Sequence, residues 1–173
     1  MGYRELAMGT ALLLGLSSAA IAGDKEKQWQ PSVSASIGTS SEESNPFHVA
    51  VSASLLRHIG NGYALGIDSD LLIENKDSEI GYGLCLEKRM GRRMYDIGIG
   101  VSTISFDEPL HISDGPVSEP IAESAAHVSA GVAQDISSQT GLIFKYTRNL
   151  ASQELFEHHY PKDRFSFGIT YRF

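Results

Sequence analysis

The last nine residues, Phe165-Ser166-Phe167-Gly168-Ile169-Thr170-Tyr171-Arg172-Phe173, alternate without a break between large apolar or aromatic groups at odd positions and small or polar groups at even ones. Successive side chains of a β-strand point to opposite faces, so this segment presents one oily face and one small, polar face. Something apolar must cover the first face, and the choice of that cover constrains the whole chain.

The same period of two recurs upstream. Eight segments follow it: 30–39, 47–56, 63–73, 79–87, 94–104, 124–134, 140–148 and 165–173. In the third, Tyr63, Leu65, Ile67, Leu71 and Ile73 oppose Ala64, Gly66, Asp68 and Asp70; in the fifth, Tyr95, Ile97, Ile99 and Val101 oppose Asp96, Gly98, Gly100 and Ser102. The sixth is Ala-rich and the weakest. A soluble sandwich or lipocalin-like barrel also alternates, with its apolar face inward. The other face decides between the two arrangements. It is mainly Gly, Ser and Ala with scattered Asp, Glu and His, the filling of a narrow lumen, whereas a water-exposed face is richer in Lys, Glu, Thr and Gln. Eight strands enclose a space just wide enough for side chains to fill, and strands of this length span the ~25 Å apolar band of an outer membrane.

The closing strand, with aromatics at alternate positions and Phe at its end, resembles that of bacterial outer-membrane β-barrels. The whole pattern resembles the compact OmpA/OmpX-like barrels. The resemblance implies an all-β fold, a closed antiparallel eight-stranded transmembrane up-and-down β-barrel, in the outer membrane of a Gram-negative bacterium. It also implies that Phe165, Phe167, Ile169, Tyr171 and Phe173 form the assembly signal read by the outer-membrane assembly machinery.

The N-terminus agrees with that location. Arg4 precedes an apolar run from Ala11 to Leu16, and small residues follow, ending in Ala20-Ile21-Ala22. This predicts a signal peptide over 1–22, with an apolar core shorter than the ~20 residues of a membrane-spanning helix. The barrel domain is then 23–173. Arg4 and Glu5 cancel, so the mature chain keeps the formal charge of −7, which argues against nucleic acid as a partner. Cys85 is the single cysteine, so no internal disulfide forms; it reads as a small buried residue rather than a reactive thiol.

Connection lengths assign the two ends. The second, fourth and sixth gaps, 57–62, 88–93 and 135–139, are short, whereas the two long ones, 105–123 and 149–163, lie at the opposite end. Both termini therefore belong on the periplasmic side and the long loops outside. Aromatics collect where amphipathic rings prefer to sit: Trp29, Tyr63, Tyr95, Tyr171 and Phe173 near the inner rim, Phe47, Phe106, Tyr146 and Phe165 near the outer one. Phe106 has the wrong parity for the fifth strand, which predicts a bulge or an early strand end. Basic residues gather in the inner turns, with Arg57 in one and Lys88, Arg89, Arg92 and Arg93 in another. These read as solvated turns, with a periplasmic partner or inner-leaflet phosphates as the alternative. The outer loops are acidic, so divalent cations or a cationic partner are expected to bridge them to lipopolysaccharide phosphates.

Parity sends Asp68, Asp70, Glu79, Glu87, Asp96, His48, His127, Lys145 and Arg172 into the lumen, where they are expected to neutralise one another as a plug rather than line a pore. His127 and Ser129, two apart on one strand face, are the weak candidates for catalysis, in which a His would activate a Ser. Candidate binding residues lie on the long loops: Asp107, Glu108, Asp114, Glu154, Glu157, His158 and His159, with His111 nearby. His158 and His159 read as loop residues rather than zinc ligands, so no metal and no cofactor is expected. From Phe144 to Phe173 the layout also resembles the C-terminal hairpin of outer-membrane lipid A deacylases. That family carries a His-x-Ser-Asn motif, and here the His and Ser positions are Tyr146 and Arg148, with only Asn149 matching. The expected function is therefore a non-enzymatic outer-membrane barrel with a structural or surface-interaction role, its partners outer-membrane lipids and lipopolysaccharide. The alternatives are a lipid A-modifying hydrolase with non-standard catalytic residues and a narrow small-solute channel.

Overall fold

A computed structural model describes residues 29–40, 47–74, 77–105, 122–150 and 163–173. The segment 1–22 expected to be a signal peptide, Phe106, and the candidate loop residues Asp107, Glu108, His111, Asp114, Glu154, Glu157, His158 and His159 lie outside the described residues.

Eight strands run in chain order: β1 (Trp29–Ser40), β2 (Phe47–Gly60), β3 (Tyr63–Glu74), β4 (Asp77–Met90), β5 (Arg93–Ser105), β6 (Ala122–Asp135), β7 (Thr140–Asn149) and β8 (Asp163–Arg172). Each pairs antiparallel with its neighbours, and β8 returns to pair with β1, closing the barrel. Among the described segments no sheet edge is left open.

The register fixes the barrel's dimensions. The path Trp29, Arg57, Leu65, Leu86, Ile97, Ala130, Tyr146, Phe165 steps once around the wall through paired residues and arrives back on β1 at Thr39, ten residues from its start. A shear of that size in an eight-stranded barrel, with the usual rise per residue and strand spacing, gives a strand tilt of ~40° and a backbone radius of ~8 Å. Such a lumen admits side chains and little else.

The strands are longer at the inner end than sequence periodicity indicates, because the inner turns are tight. Gly60, Asn61 and Gly62 all have positive φ (103°, 52° and 75°), so Asn61-Gly62 makes a two-residue turn with the left-handed conformations a type I′ hairpin needs. The β4–β5 turn places Gly91, φ 63°, first and Arg92 second, the residue order of a II′ turn. Between β6 and β7, Ser137 Oγ accepts hydrogen bonds from the amides of Gln139 and Thr140 at 3.2 and 2.9 Å.

Between its two rims the outward face is mainly apolar. Leu65, Ile67, Leu84, Ile97, Ile99, Val101, Phe167 and Ile169 each expose about half or more of their surface. A belt of that extent on a water-facing protein far exceeds ordinary apolar patches, and a closed sheet is one of the two structures whose backbone is fully satisfied in hydrocarbon. The wall is therefore built to face lipid. The five odd-numbered residues of the closing strand region, Phe165, Phe167, Ile169, Tyr171 and Phe173, all lie on this face. At the seam, the Phe173 amide donates to the Pro31 carbonyl at 3.1 Å and its ring meets Tyr171 edge-on at 4.9 Å.

Ile99 lies near the middle of β5 and is 61% exposed. Ile99→Arg is expected to lower the stability of the barrel in phospholipid vesicles by ~2–4 kcal/mol, the cost of a cation at the bilayer midplane. Urea titration of the vesicle-embedded protein measures this, and Ile99→Leu serves as the near-neutral control.

Candidate functional site

The lumen holds the densest chemistry in the described residues. Its wall is made of small groups because neighbouring strands share a narrow space. The ring of His48 on β2 lies over Gly38 on β1, that of His127 on β6 lies over Gly100 on β5, and the carboxylate of Asp96 lies over Gly131. A Cβ added at any of these glycines would overlap the side chain it faces. Gly38, Gly100 and Gly131 are each a socket for one large polar neighbour, which is one reason the inward face of the sequence alternates small residues with isolated charges.

Three layers of polar contacts cross the lumen. Toward the outer mouth, Arg164 of β8 pairs with Glu79 of β4, both buried, beside His48. At mid-height, Lys145 Nζ of β7 reaches across to β3 and donates to both carboxylate oxygens of Asp70 at 3.1 and 3.0 Å, with Asp68 at 3.8 Å. Toward the inner mouth, Arg172 Nη1 donates to Asp135 Oδ1 at 2.6 Å, and Arg89 approaches the other oxygen of Asp135 at 3.6 Å. Removing charges from water in so narrow a space is costly, and direct pairing is what offsets it.

The lumen includes two small cavities, of about 40 and 80 Å³. Each is room for a few water molecules. His48, Asp70, Glu79 and His127 line the outer one, and Asp68, Glu87, Asp96 and Arg172 the inner one. Lys145 lines both, together with Ser34, Ser52 and Ile143. All nine residues assigned to the lumen by parity are thus inside it. Arg164, Asp135 and Arg89 also contribute and were not anticipated. Their signal was present: continuing the inward parity from Arg172 back through Thr170, Gly168 and Ser166 reaches Arg164, and continuing from His127 forward reaches Asp135.

Cys85 is buried against Leu56 and Ala64 in a small apolar patch of the lumen wall. Met94 and Ala133 are also buried on the inward face, next to the same inner cavity.

The histidine singled out for catalysis has a different partner from the one expected. Nδ1 of His127 lies 2.8 Å from Ser102 Oγ on β5, not from Ser129. Residues two apart on a strand are separated by ~6.6 Å along it, whereas Ser102, two residues along β5 from Gly100, the register partner of His127, is a diagonal neighbour that the long imidazole side chain reaches. Both His127 and Ser102 are buried in the lumen. On the lipid-facing side of β7, Tyr146 donates to Asp163 Oδ1 at 2.5 Å and Arg148 lies 3.7 Å from the same oxygen. The positions that correspond to the deacylase His and Ser therefore form a Tyr-Asp-Arg contact at the outer rim. Among the described residues no group of three or more His, Cys, Asp or Glu side chains is arranged to hold a metal ion.

No protein-family model and no curated protein sequence matches the chain. Solved structures do. The N-terminal β-barrel domain of Pseudomonas aeruginosa OprF superimposes with a TM-score of 0.53 at 8% identity, covering 83% of this chain and 97% of that one. The Yersinia pestis outer membrane protein Ail, in a phospholipid bilayer nanodisc, gives 0.54 at 11% identity, covering 83% and 99%. A de novo designed transmembrane β-barrel gives 0.55 at 14% identity, covering 83% and 95%. The likeness is one of fold. This chain has the closed eight-stranded architecture of small transmembrane barrels, reached with a sequence of its own.

Removing Lys145 would leave Asp70 and Asp68 facing each other without their cation. Lys145→Met is expected to destabilise the barrel by ~3–5 kcal/mol, as for other buried pairs broken on one side. Adding Asp70→Asn should restore part of that loss. Urea titration of the single and double variants in vesicles gives the coupling energy, and strict additivity of the two losses would show that the contact does not form.

Proposed function

We propose that this protein is a non-enzymatic barrel of the Gram-negative outer membrane that holds its outer loops against the lipopolysaccharide layer. The observation that carries this reading is the crowded lumen: Lys145, tied to Asp70 and Asp68, reaches across it and lines both cavities. Charges paired across so narrow a lumen favour a role at the ends of the barrel over transport through it. Segments 106–121 and 150–162 leave from strand ends on one rim, the rim opposite the tight turns at 61–62 and 91–92.

The chemistry of those connections supports lipopolysaccharide as the partner. They contain Asp107, Glu108, Asp114, Glu119, Glu154 and Glu157. Carboxylates beside lipid A phosphates repel them unless Mg²⁺ or Ca²⁺ bridges the two, and oxygen-rich ligand sets suit those ions. The outward row from Phe165 to Phe173 serves, on this reading, as the recognition segment for the assembly machinery during insertion.

The reading is tested with the protein in nanodiscs and purified lipopolysaccharide. Binding is expected in millimolar Mg²⁺, with loss on chelation. Replacing 106–121 and 150–162 by short Gly-Ser turns should abolish the Mg²⁺-dependent binding while the barrel still assembles. Binding that is indifferent to chelation and to loop removal would overturn the proposal, as would discrete single-channel steps in planar bilayers.

A further inference from the structure

The inner rim carries a feature that neither the lumen nor the outer loops use. Cations lie on the lipid-facing side of the wall from β2 to β5, each held beside an aromatic ring or a turn. Arg57 lies over the Trp29 ring, 5.9 Å from its centroid, and is the register partner of Trp29 on the adjacent strand. Lys88 Nζ lies 3.6 Å from the centroid of Tyr63 and donates to the Asn61 carbonyl at 2.6 Å. Lys88 is also the register partner of Tyr95. Arg93, two residues before Tyr95 on the same face, donates through Nε to Gln134 at 3.3 Å, and exposed Arg92 stands in the adjoining turn.

Three observations make this more than a solvated set of turns. The rings of Trp29, Tyr63 and Tyr95 are each at least 40% exposed, and such rings mark the headgroup level of a bilayer. Ile59 and Met90, beyond the cations toward the turns, are about 60% exposed, so apolar groups flank the charges on both sides. No Asp or Glu side chain shares the outward face of this arc among the described residues; the carboxylates of Glu87, Asp96 and Asp135 all belong to the lumen. The opposite arc, with Val132, Gln134, Ile136, Thr140, Leu142 and Tyr171, holds no cation on its outward face.

We infer that the arc of Arg57, Lys88, Arg92 and Arg93 is a binding site for anionic phospholipid, with the lipid phosphate held by the guanidinium and ammonium groups and the acyl chains lying along Leu65, Leu86 and Ile97. Arginine forks match phosphate oxygens, the stems of Lys and Arg lie along apolar surface while their heads stay at the interface, and the rings beneath Arg57 and Lys88 hold those heads in place. The preferred lipid is phosphatidylglycerol over zwitterionic phosphatidylethanolamine, because the arc carries positive charge with no carboxylate to receive an ammonium group. The placement of this arc in the inner leaflet rests on the orientation adopted above; the affinity itself does not.

The test is native mass spectrometry of the protein extracted from vesicles of phosphatidylethanolamine and phosphatidylglycerol, both leaflets alike, so that an error in orientation leaves the readout unchanged. The wild-type protein should retain phosphatidylglycerol well above its bulk fraction. Each of Arg57→Gln, Lys88→Gln and Arg93→Gln should lower that enrichment about fivefold, the worth of one cation near an anionic surface. The triple variant, which keeps only Arg92 of the four cations, should bring it close to the bulk ratio, and Arg148→Gln at the other rim should leave it unchanged. Retention by the folded triple variant equal to wild type would overturn the assignment. So would loss of the wild-type enrichment on adding soluble glycerol phosphate, which would identify free phosphate as the ligand.

Discussion

Backbone amides and carbonyls have no partner in hydrocarbon, and a sheet that enters a membrane must therefore close on itself. In this chain closure depends on the pairing of β1 with β8, from Ser32 with Arg172 to Ser40 with Arg164. Once eight strands close with a shear of ten residues, the radius follows, and with it the composition of the inner face. Large residues cannot face each other across neighbouring strands in that space. Gly38 gives way to His48, Gly100 to His127 and Gly131 to Asp96.

The lumen is polar for a reason that concerns the route as much as the destination. A chain apolar on both faces of every strand would be a run of aggregation-prone segments in water; small residues and charges on alternate positions break each run. Inside the closed barrel the same charges must find partners. Arg164 with Glu79, Lys145 with Asp70, and Arg172 with Asp135 supply them at three heights. Paired charges therefore crowd the lumen at all three heights, and the two rims are the other places where polar chemistry collects. The rims differ in chemistry: acidic connections at one end by sequence, and cations seated against aromatic rings at the other.

Much of this was legible because period two is a simple code. The direction of every lumen residue, from His48 to Arg172, follows from parity alone, and the outward row of β8 reads straight from the last nine residues. Strand ends were harder. Asn61-Gly62 is a two-residue hairpin signal between Ile59 and Tyr63, but the Arg57-His58 pair preceding it made the strand look finished at Leu56. Arg164 and Asp135 were missed for the same cause, since a charge at a strand end resembles the start of a loop. Long-range partners were not legible at all. Nothing local joins Lys145 to Asp70, or His127 to Ser102; register and barrel diameter set those contacts.

The account stands or falls on a barrel closed through β1 and β8 and stable among lipid or detergent. The most direct measurement is electrophoretic mobility of the detergent-folded protein with and without boiling. A closed barrel resists dodecyl sulfate at room temperature and should run as a distinct band that shifts to the unfolded position on heating. A single band with the same mobility before and after boiling, in preparations that have had time to fold, would contradict it.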